Sequence, residues 1–489
     1  WVDVPIIFEI PDAESLKTSV KDEWFLPEER DKDIYVPGVE GAVDIALENH
    51  ISAKIAQGEI ELSRLKIREA RRALYPAASL NYMETTGKTT ARSQDFTDEE
   101  YKLKFEYPLY YGWRLRYAVD QAVSNMKASR HNYDKVLDDL RGEVETGFYS
   151  YLATKINVRL QRGLLEETKE IFDIAKKRFD LELSTRAEFL QVESQLKQIT
   201  YQVTSSENDL SMAELSLAQA MNLEDPKDIK ELVSIDIDMM DLKPVDMGIG
   251  LEECMDMAFR NRPDLKAKGY MVEFNEYERK IAKTKDQLKI DLTGSYGRSG
   301  GAYESETLEL GKDWYLGIKV SKPLGGNTLS SSYTEDETSE KHGQSERTES
   351  VSKSVEFGIL DNLQSFSERK SAEIALKKAR KELKEQEDAV FKEVKDSFLS
   401  YKKGLIQANA NFDKIRYREE ELKIAKARAE LNEVPLSGLI QAHMNLVDEK
   451  SYYVEAIGGL YQSLVRLNKA TGYSLFLDSE SFMLANVRN

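Results

Sequence analysis

The segment Ala175–Leu196, AKKRFDLELSTRAEFLQVESQL, comes back 250 positions later as Ala425–Leu446, AKARAELNEVPLSGLIQAHMNL. In both copies apolar residues run at three- and four-residue spacing to Leu181 or Leu431, lapse, and resume at Phe189-Leu190 or Leu439-Ile440. That pattern reads helix, tight break, helix. Asn432 reads as a left-handed cap, and Pro435 sits where a new helix can begin. Each copy is therefore the closed end of a long helical hairpin, and the chain is confined to folds that use this hairpin twice.

The repeat extends upstream. Val144, Phe148 and Tyr151 match Val394, Phe398 and Tyr401 at the same offset, on one face of each ascending helix. Further back the offset shortens: Ala46 and Asn49 match Ala258 and Asn261 at 212, and Pro108-Leu109 matches Pro323-Leu324 at 215. The difference, 250 − 215, leaves about 35 extra residues after Pro323 in the second half. The chain reads as an internal duplication carrying one insertion.

Residues 1–40, acidic and punctuated by Pro5, Pro11, Pro27 and Pro37, read as an extended segment. The first repeat, 41–222, begins with a helix from about Val39 to Leu74, ended by Pro76. A strand follows (Ala78, Leu80 and Tyr82 on one face), then a polar stretch from Gly87 to Asp98. A clearer strand runs from Tyr101 to Tyr107, where Tyr101, Leu103, Phe105 and Tyr107 alternate with Lys102, Lys104 and Glu106. No proline interrupts the helical pattern from Trp113 to about Leu181, a span of roughly 100 Å at ~1.5 Å per residue. A shorter helix returns from Ala187 to Met221. Residues 223–250 form a connector. The second repeat, 251–472, opens with a helix Leu251–Lys285 and gives strands around Leu288–Leu292 and Trp314–Val320. A long helix Phe366–Leu431 and a return helix capped by Gly472 close it, and residues 473–489 form a tail.

A formal charge of −18 opposes a nucleic acid or an anionic membrane surface as partner. The single Cys254 excludes an intramolecular disulfide and reads as a small core residue. His50, His131, His342 and His443 have no ligand-like spacing, so no metal is expected. No cofactor loop, nucleophile elbow or carboxylate pair stands out, and nothing supports an enzyme. No run of 18 apolar residues exists, so no transmembrane helix is expected. The start at Trp1, without Met or an apolar leader, fits either a mature exported form or a protein that is not exported.

The order helix, strand, strand, very long helix, tip and return helix, given twice, resembles the TolC-type outer membrane efflux family. The tip is similar to that family's Arg-x-x-x-Gly pattern, with Arg178 and Arg428 opening it and Leu190 and Ile440 at its Leu position. Leu464, Leu467 and Ala470-Thr471-Gly472 resemble the family's usual ending. Glu182 and Asn432 stand where the family has its tip glycine. The resemblance implies a mainly α fold with a membrane β-barrel portion. Duplicated long hairpins would form a helical tube, and a homotrimer would share the barrel. It implies an outer membrane channel-tunnel of a tripartite efflux or type I secretion system, extending into the periplasm beside an adaptor protein and an inner-membrane transporter. Leu181, Glu182, Thr185, Arg186, Leu431, Asn432 and Pro435 would be the adaptor-docking tips. Glu188, Gly438 and Gln441 stand at the positions of a periplasmic constriction, only the first of them acidic.

The strands themselves point the same way. An apolar face must be buried in a core or in lipid, while Lys102, Lys104 and Glu106 suit a water-filled lumen. Open strand edges are not tolerated in outer membrane lipid, so several copies must share one barrel. The insertion, about 325–359, alternates at both flanks around a charged middle, which predicts an extra hairpin, Asn327–Thr334 and Ser350–Ile359. That makes six strands per chain in place of four, and eighteen in a trimer; the alternative for the insertion is a disordered periplasmic loop, which leaves four strands per chain and twelve in a trimer. The competing reading is a soluble periplasmic or cytosolic coiled-coil scaffold.

Overall fold

The computed structural model describes residues 38–89, 94–223, 229, 239–241, 244, 246–304, 306–341, 347–431 and 433–472. The expected extended segment, except its last residues, and the C-terminal tail lie outside these residues, as do Asn432 and His342.

The first repeat contains α1 (Val39–Asn49), α2 (Ile51–Arg72), β1 (Ala77–Thr89), β2 (Gln94–Tyr110), α3 (Arg114–Asp180) and α4 (Arg186–Ala220). The second contains α5 (Leu251–Asn261), α6 (Pro263–Thr284), β3 (Lys289–Tyr303), β4 (Gly311–Leu324), β5 (Asn327–Thr338), β6 (Thr348–Gly358), α7 (Gln364–Glu430) and α8 (Leu436–Thr471). The duplication shows in the helix lengths. The matched pairs are 11 and 11, 22 and 22, 67 and 67, and 35 and 36 residues.

Two of the expected helices are broken. The single helix Val39–Leu74 is α1 and α2, interrupted at His50, whose extended backbone (ψ 125°) lets its Nδ1 accept from Ser52 N–H at 3.2 Å. The helix Leu251–Lys285 is α5 and α6. Pro263 opens α6 without an N–H to give, and it forces Arg262 out of the helical region to ψ 123°. Two strands run further than expected. The polar stretch Gly87–Asp98 is strand wherever it is described, because each described residue of it stands in register with a partner across the sheet whatever its polarity.

All six strands form one antiparallel meander in the order β1-β2-β3-β4-β5-β6. Glycines let it curve: a Cβ on Gly294 would lie 2.3 Å from the Phe105 ring, and one on Gly297 would lie 1.9 Å from the Tyr101 carbonyl oxygen. Below the sheet the helices lie side by side. Near the strands the order is α2, α3, α6, α7; towards the tips it is α4, α3, α8, α7. At ~1.5 Å per residue the 67-residue helices span about 100 Å.

The main core lies where the two kinds of hairpin meet. Val144, Phe148, Tyr151, Val394 and Tyr401 are buried there, the residues that the repeat had paired, together with Cys254. The connector packs on this core through Ile229 and Met239, and the Asp246 carboxylate accepts from Lys402 Nζ at 2.9 Å. A second cluster around Leu164, Val192, Ile199 and Ile440 fills the lower hairpins.

The break before Pro263 anchors the C-terminal end of α8. The buried Arg262 guanidinium donates to Asp264 at 2.6 Å, to Glu393 at 2.7 Å and to the Ala470 carbonyl at 3.1 Å. Gly472 (φ 62°) lies so close that a Cβ would meet the Arg262 Cα at 2.8 Å. Burial pushes the Asp264 carboxyl pKa up, but Arg262 overrides it and holds it below the usual range. Arg262→Met should therefore lower stability by about 3 kcal/mol, since the buried Asp264 carboxylate loses its cation. The wild type should also lose stability as pH falls below about 4, where Asp264 takes up its proton. Thermal unfolding of the two proteins across pH 3–7 checks both points, with Arg262→Met expected to show the weaker pH dependence.

Candidate functional site: a two-faced sheet and a pair of helical tips

The cross-strand register sorts the side chains onto two faces. Leu80, Leu103, Tyr296 and Trp314 lie in one row of directly opposed residues, and Phe105, Gly294 and Leu316 lie in the next. This face is apolar and open in the single chain: Leu80 is 88% exposed, Tyr296 62% and Val355 76%. A soluble scaffold would leave it in water, so that alternative is not supported.

The other face carries Lys102, Lys104 and Glu106, as expected, but their charges are not equally free. Lys102 Nζ lies 2.8 Å from Asp313 and 3.2 Å from Glu100, and Ser299 Oγ donates to Asp313 at 2.5 Å. Lys102 is thus neutralised within the wall itself. Lys104 stands opposite Ser79 and Ser295, and Glu106 opposite Ala77 and Thr293. The partners of Lys102 come from β4 and from β2 itself; sequence spacing pointed to neither.

At the far end of the helices the first tip is a Schellman closure. Leu183 N–H donates to Arg178 O at 2.8 Å and Glu182 N–H to Phe179 O at 3.0 Å, which requires Glu182 to be left-handed (φ 63°). This is the position at which the resembled family has glycine, and the φ value gives the reason. At the second tip Glu433 N–H donates to Arg428 O at 2.9 Å, the same bond 250 positions on. Thr185 and Glu188 then form a reciprocal capping box, with bonds of 3.2 and 2.9 Å. The pattern Thr-x-x-Glu is a capping-box signature legible in the sequence, at residues expected for docking and constriction. Pro435 caps α8 without a side-chain bond. Leu181 and Leu431 are each 69% exposed.

Among the candidate constriction residues, Glu188 is committed to the cap, and Gln441 donates to Asn445 at 3.0 Å. A Cβ on Gly438 would meet Val434 at 2.8 Å. The two tips adjoin: Gln195 Nε2 of α4 donates to Ser437 O of α8 at 3.2 Å. The described histidines are dispersed. His131 stacks on Tyr270, and His443 Nδ1 lies 2.7 Å from Glu167. No group of metal-ligating side chains occurs among the described residues.

A duplicated hairpin tube below a sheet with one apolar and one polar face defines the class of outer membrane channel proteins. Residues 42–223, which cover the first repeat, match the family described as "Outer membrane efflux protein". No curated protein matches it in sequence. The fold is similar to that of a Pseudomonas aeruginosa membrane protein (18% identity, TM-score 0.69, covering 89% of this chain and 93% of that one). It is also similar to the Campylobacter jejuni CmeC outer membrane channel (15%, 0.68, 92% and 89%). The Neisseria gonorrhoeae MtrE outer membrane channel in its open state is a further likeness (17%, 0.66, 91% and 91%).

The capping geometry gives opposite expectations for two neighbouring changes. Thr185→Ala should cost about 1 kcal/mol by freeing the first N–H groups of α4. Glu182→Gly should gain up to about 1 kcal/mol by relieving the left-handed backbone. Hydrogen exchange at residues 178–192 should rise in the first variant and fall in the second.

Proposed function

We propose that three copies of this chain form one passive exit duct, with a barrel in the outer membrane and a helical tube through the periplasm. The observation that carries this reading is that the chain is unfinished at both sides. On one side α2 exposes Ile51, Ile55 and Leu62, and α4 exposes Leu190, Tyr201 and Met212. On the other, α7 exposes Leu399, Ile406, Tyr417 and Ile424. These stripes repeat at seven and eleven residues, the spacing of a seam that another helix covers. The side that presents α7 also presents β6, and the side that presents α2 and α4 also presents β1. A head-to-tail contact joins α7 of one copy to α2 and α4 of the next and closes into a ring. Four columns per copy then give twelve in a trimer, the number of copies that the family resemblance implies.

In this duct the apolar sheet face meets lipid, and Lys102, Lys104 and Glu106 face the water-filled lumen. The tips, Leu181–Arg186 and Leu431–Leu436, dock a periplasmic adaptor, which couples the tube to an inner-membrane transporter. Glu188, Gly438 and Gln441 line the narrow mouth. The exposed leucines at each tip suit an apolar contact with the adaptor's own helical hairpin.

Native mass measurement of the full chain in mild detergent should give three copies of 55.9 kDa. A stable monomer or dimer would be incompatible with the ring. Leu181→Glu combined with Leu431→Glu should leave that mass unchanged and abolish export, read as accumulation of a fluorescent efflux substrate in cells. Wild-type export by this double variant would remove the tips from the coupling.

A further inference from the structure

The third hairpin, β5–β6, has no counterpart in the first repeat, and it forms one edge of the sheet. It sits at the same depth as its neighbours: β5 pairs with β4 from Leu324↔Asn327 through Trp314↔Glu337. Its lower turn braces the start of α7, with Asn362 N–H donating to Gly326 O at 3.0 Å and Leu360 N–H to Asn327 Oδ1 at 2.8 Å. Since β4 presents Leu316, Ile318 and Val320 on the lipid-facing side, β5 and β6 lie within the bilayer too.

The charged residues at the upper border of the apolar face show how the strands lie. Passing from β1 to β6 these are Glu84, Glu99, Arg298, Lys312, Glu335 and Lys353. Glu84 stands opposite Glu99, whereas Lys353 traces through Tyr333, Ile318 and Leu292 to Tyr107, eight residues below Glu99 on β2. The border therefore falls about 27 Å along the strands while crossing five strand spacings, about 24 Å. That slope corresponds to a strand tilt of roughly 45°, the value of a closed barrel. The third hairpin follows the same slope, which puts Lys353 at the membrane surface rather than at its midplane.

Such a sheet leaves β1 and β6 as unpaired edges, which hydrocarbon does not tolerate. Continuing the slope by one strand brings Glu84 of the next copy to the level of Lys353, or one row of opposed residues below it. The first of these registers also sets Lys88 against Glu349, Tyr82 against Val355 and Leu80 against Phe357, all on the lipid-facing side. It also matches the upper ends, Thr89 against Thr348. Both oppositely charged pairs and the apolar pairs are met by one alignment.

We propose that β6 of each copy pairs antiparallel with β1 of the next, Lys353 opposite Glu84 and Glu349 opposite Lys88, sealing an eighteen-stranded barrel. The proposal rests on the trimeric reading above. Both key side chains are already held on the outward face: Tyr82 Oη donates to Glu84 at 2.9 Å, and Lys353 Nζ lies 5.8 Å from the Tyr333 ring centroid. Six strands per copy make the barrel about half again as wide as four would, enough to leave an open aqueous channel. At the seam its inner wall is mostly uncharged, with Met83 and Thr85 of one copy facing Ser354 and Ser352 of the next.

The test uses full-length chain with Cys254→Ser, carrying Glu84→Cys and Lys353→Cys, oxidised in outer membranes. Directly opposed residues lie about 4.5–5.5 Å apart, within reach of a disulfide, whereas a two-residue offset adds about 6.8 Å along the strand. Denaturing gels without reductant should show covalent dimer and trimer, at least tenfold more than the offset pair Thr86→Cys with Lys353→Cys gives. Glu84→Lys and Lys353→Glu should each lower the melting temperature of the trimer, and together restore it. Equal linking of the offset pair would overturn the register. A covalently closed monomer would mean that the sheet closes on itself. A trimer by native mass with no cross-link would overturn the seam alone, whereas a monomer by native mass would overturn the trimeric reading as well.

Discussion

A peptide group in hydrocarbon has no water to bond, and a strand edge left open there costs several kcal/mol per unpaired group. The rest of this molecule can be ordered around that constraint. The six strands pair with one another everywhere except along the outer edges of β1 and β6, the edges that the proposed ring of copies would join. Each outermost strand is continuous with an outermost helix: β1 follows α2, and β6 precedes α7. The incomplete edge of the sheet and the exposed apolar stripes of the tube therefore fall on the same two flanks. One contact between copies can serve both solvents, lipid above and water below.

The helical part solves a different problem. A 67-residue helix cannot be stabilised by its own propensity over ~100 Å, so it must be packed along its whole length. Duplication supplies the partners, because α3 runs against α4 and α8 below and against α2 and α6 above. Within the second repeat, Arg262, left extended by Pro263, gathers Asp264, Glu393 and the end of α8. The tips are closed by backbone bonds that repeat in both halves, and Glu182 tolerates a left-handed backbone to make one of them.

Much of this was legible in the residues. The 250-residue offset located both tips, apolar alternation located the strands, and Gly472 marked the end of the last helix. The insertion's alternation was enough to expect the third hairpin. Other features were hidden because they depend on contacts between distant segments. The full length of β1 and β2 was masked by polar residues, which say nothing of backbone pairing. The break at His50 follows from a local cap that periodicity ignores. The neutralisation of Lys102 needed Asp313, brought beside it by a register that no local pattern contains.

What the sequence by itself determined is the set of periodicities: two helical hairpins of one length, strands with an apolar and a polar face, and a surplus of about 35 residues in one repeat. Those are local properties, set by which residues recur every two or every 3.6 positions. Only the tertiary structure decided that the surplus joins the same sheet and becomes its edge, that Lys102 is paired, and that charged residues step diagonally across the strands. The physical reason is that register and edge identity are relations between strands far apart in the chain. They are fixed by which backbone groups face each other, and a single strand's side chains do not carry that information.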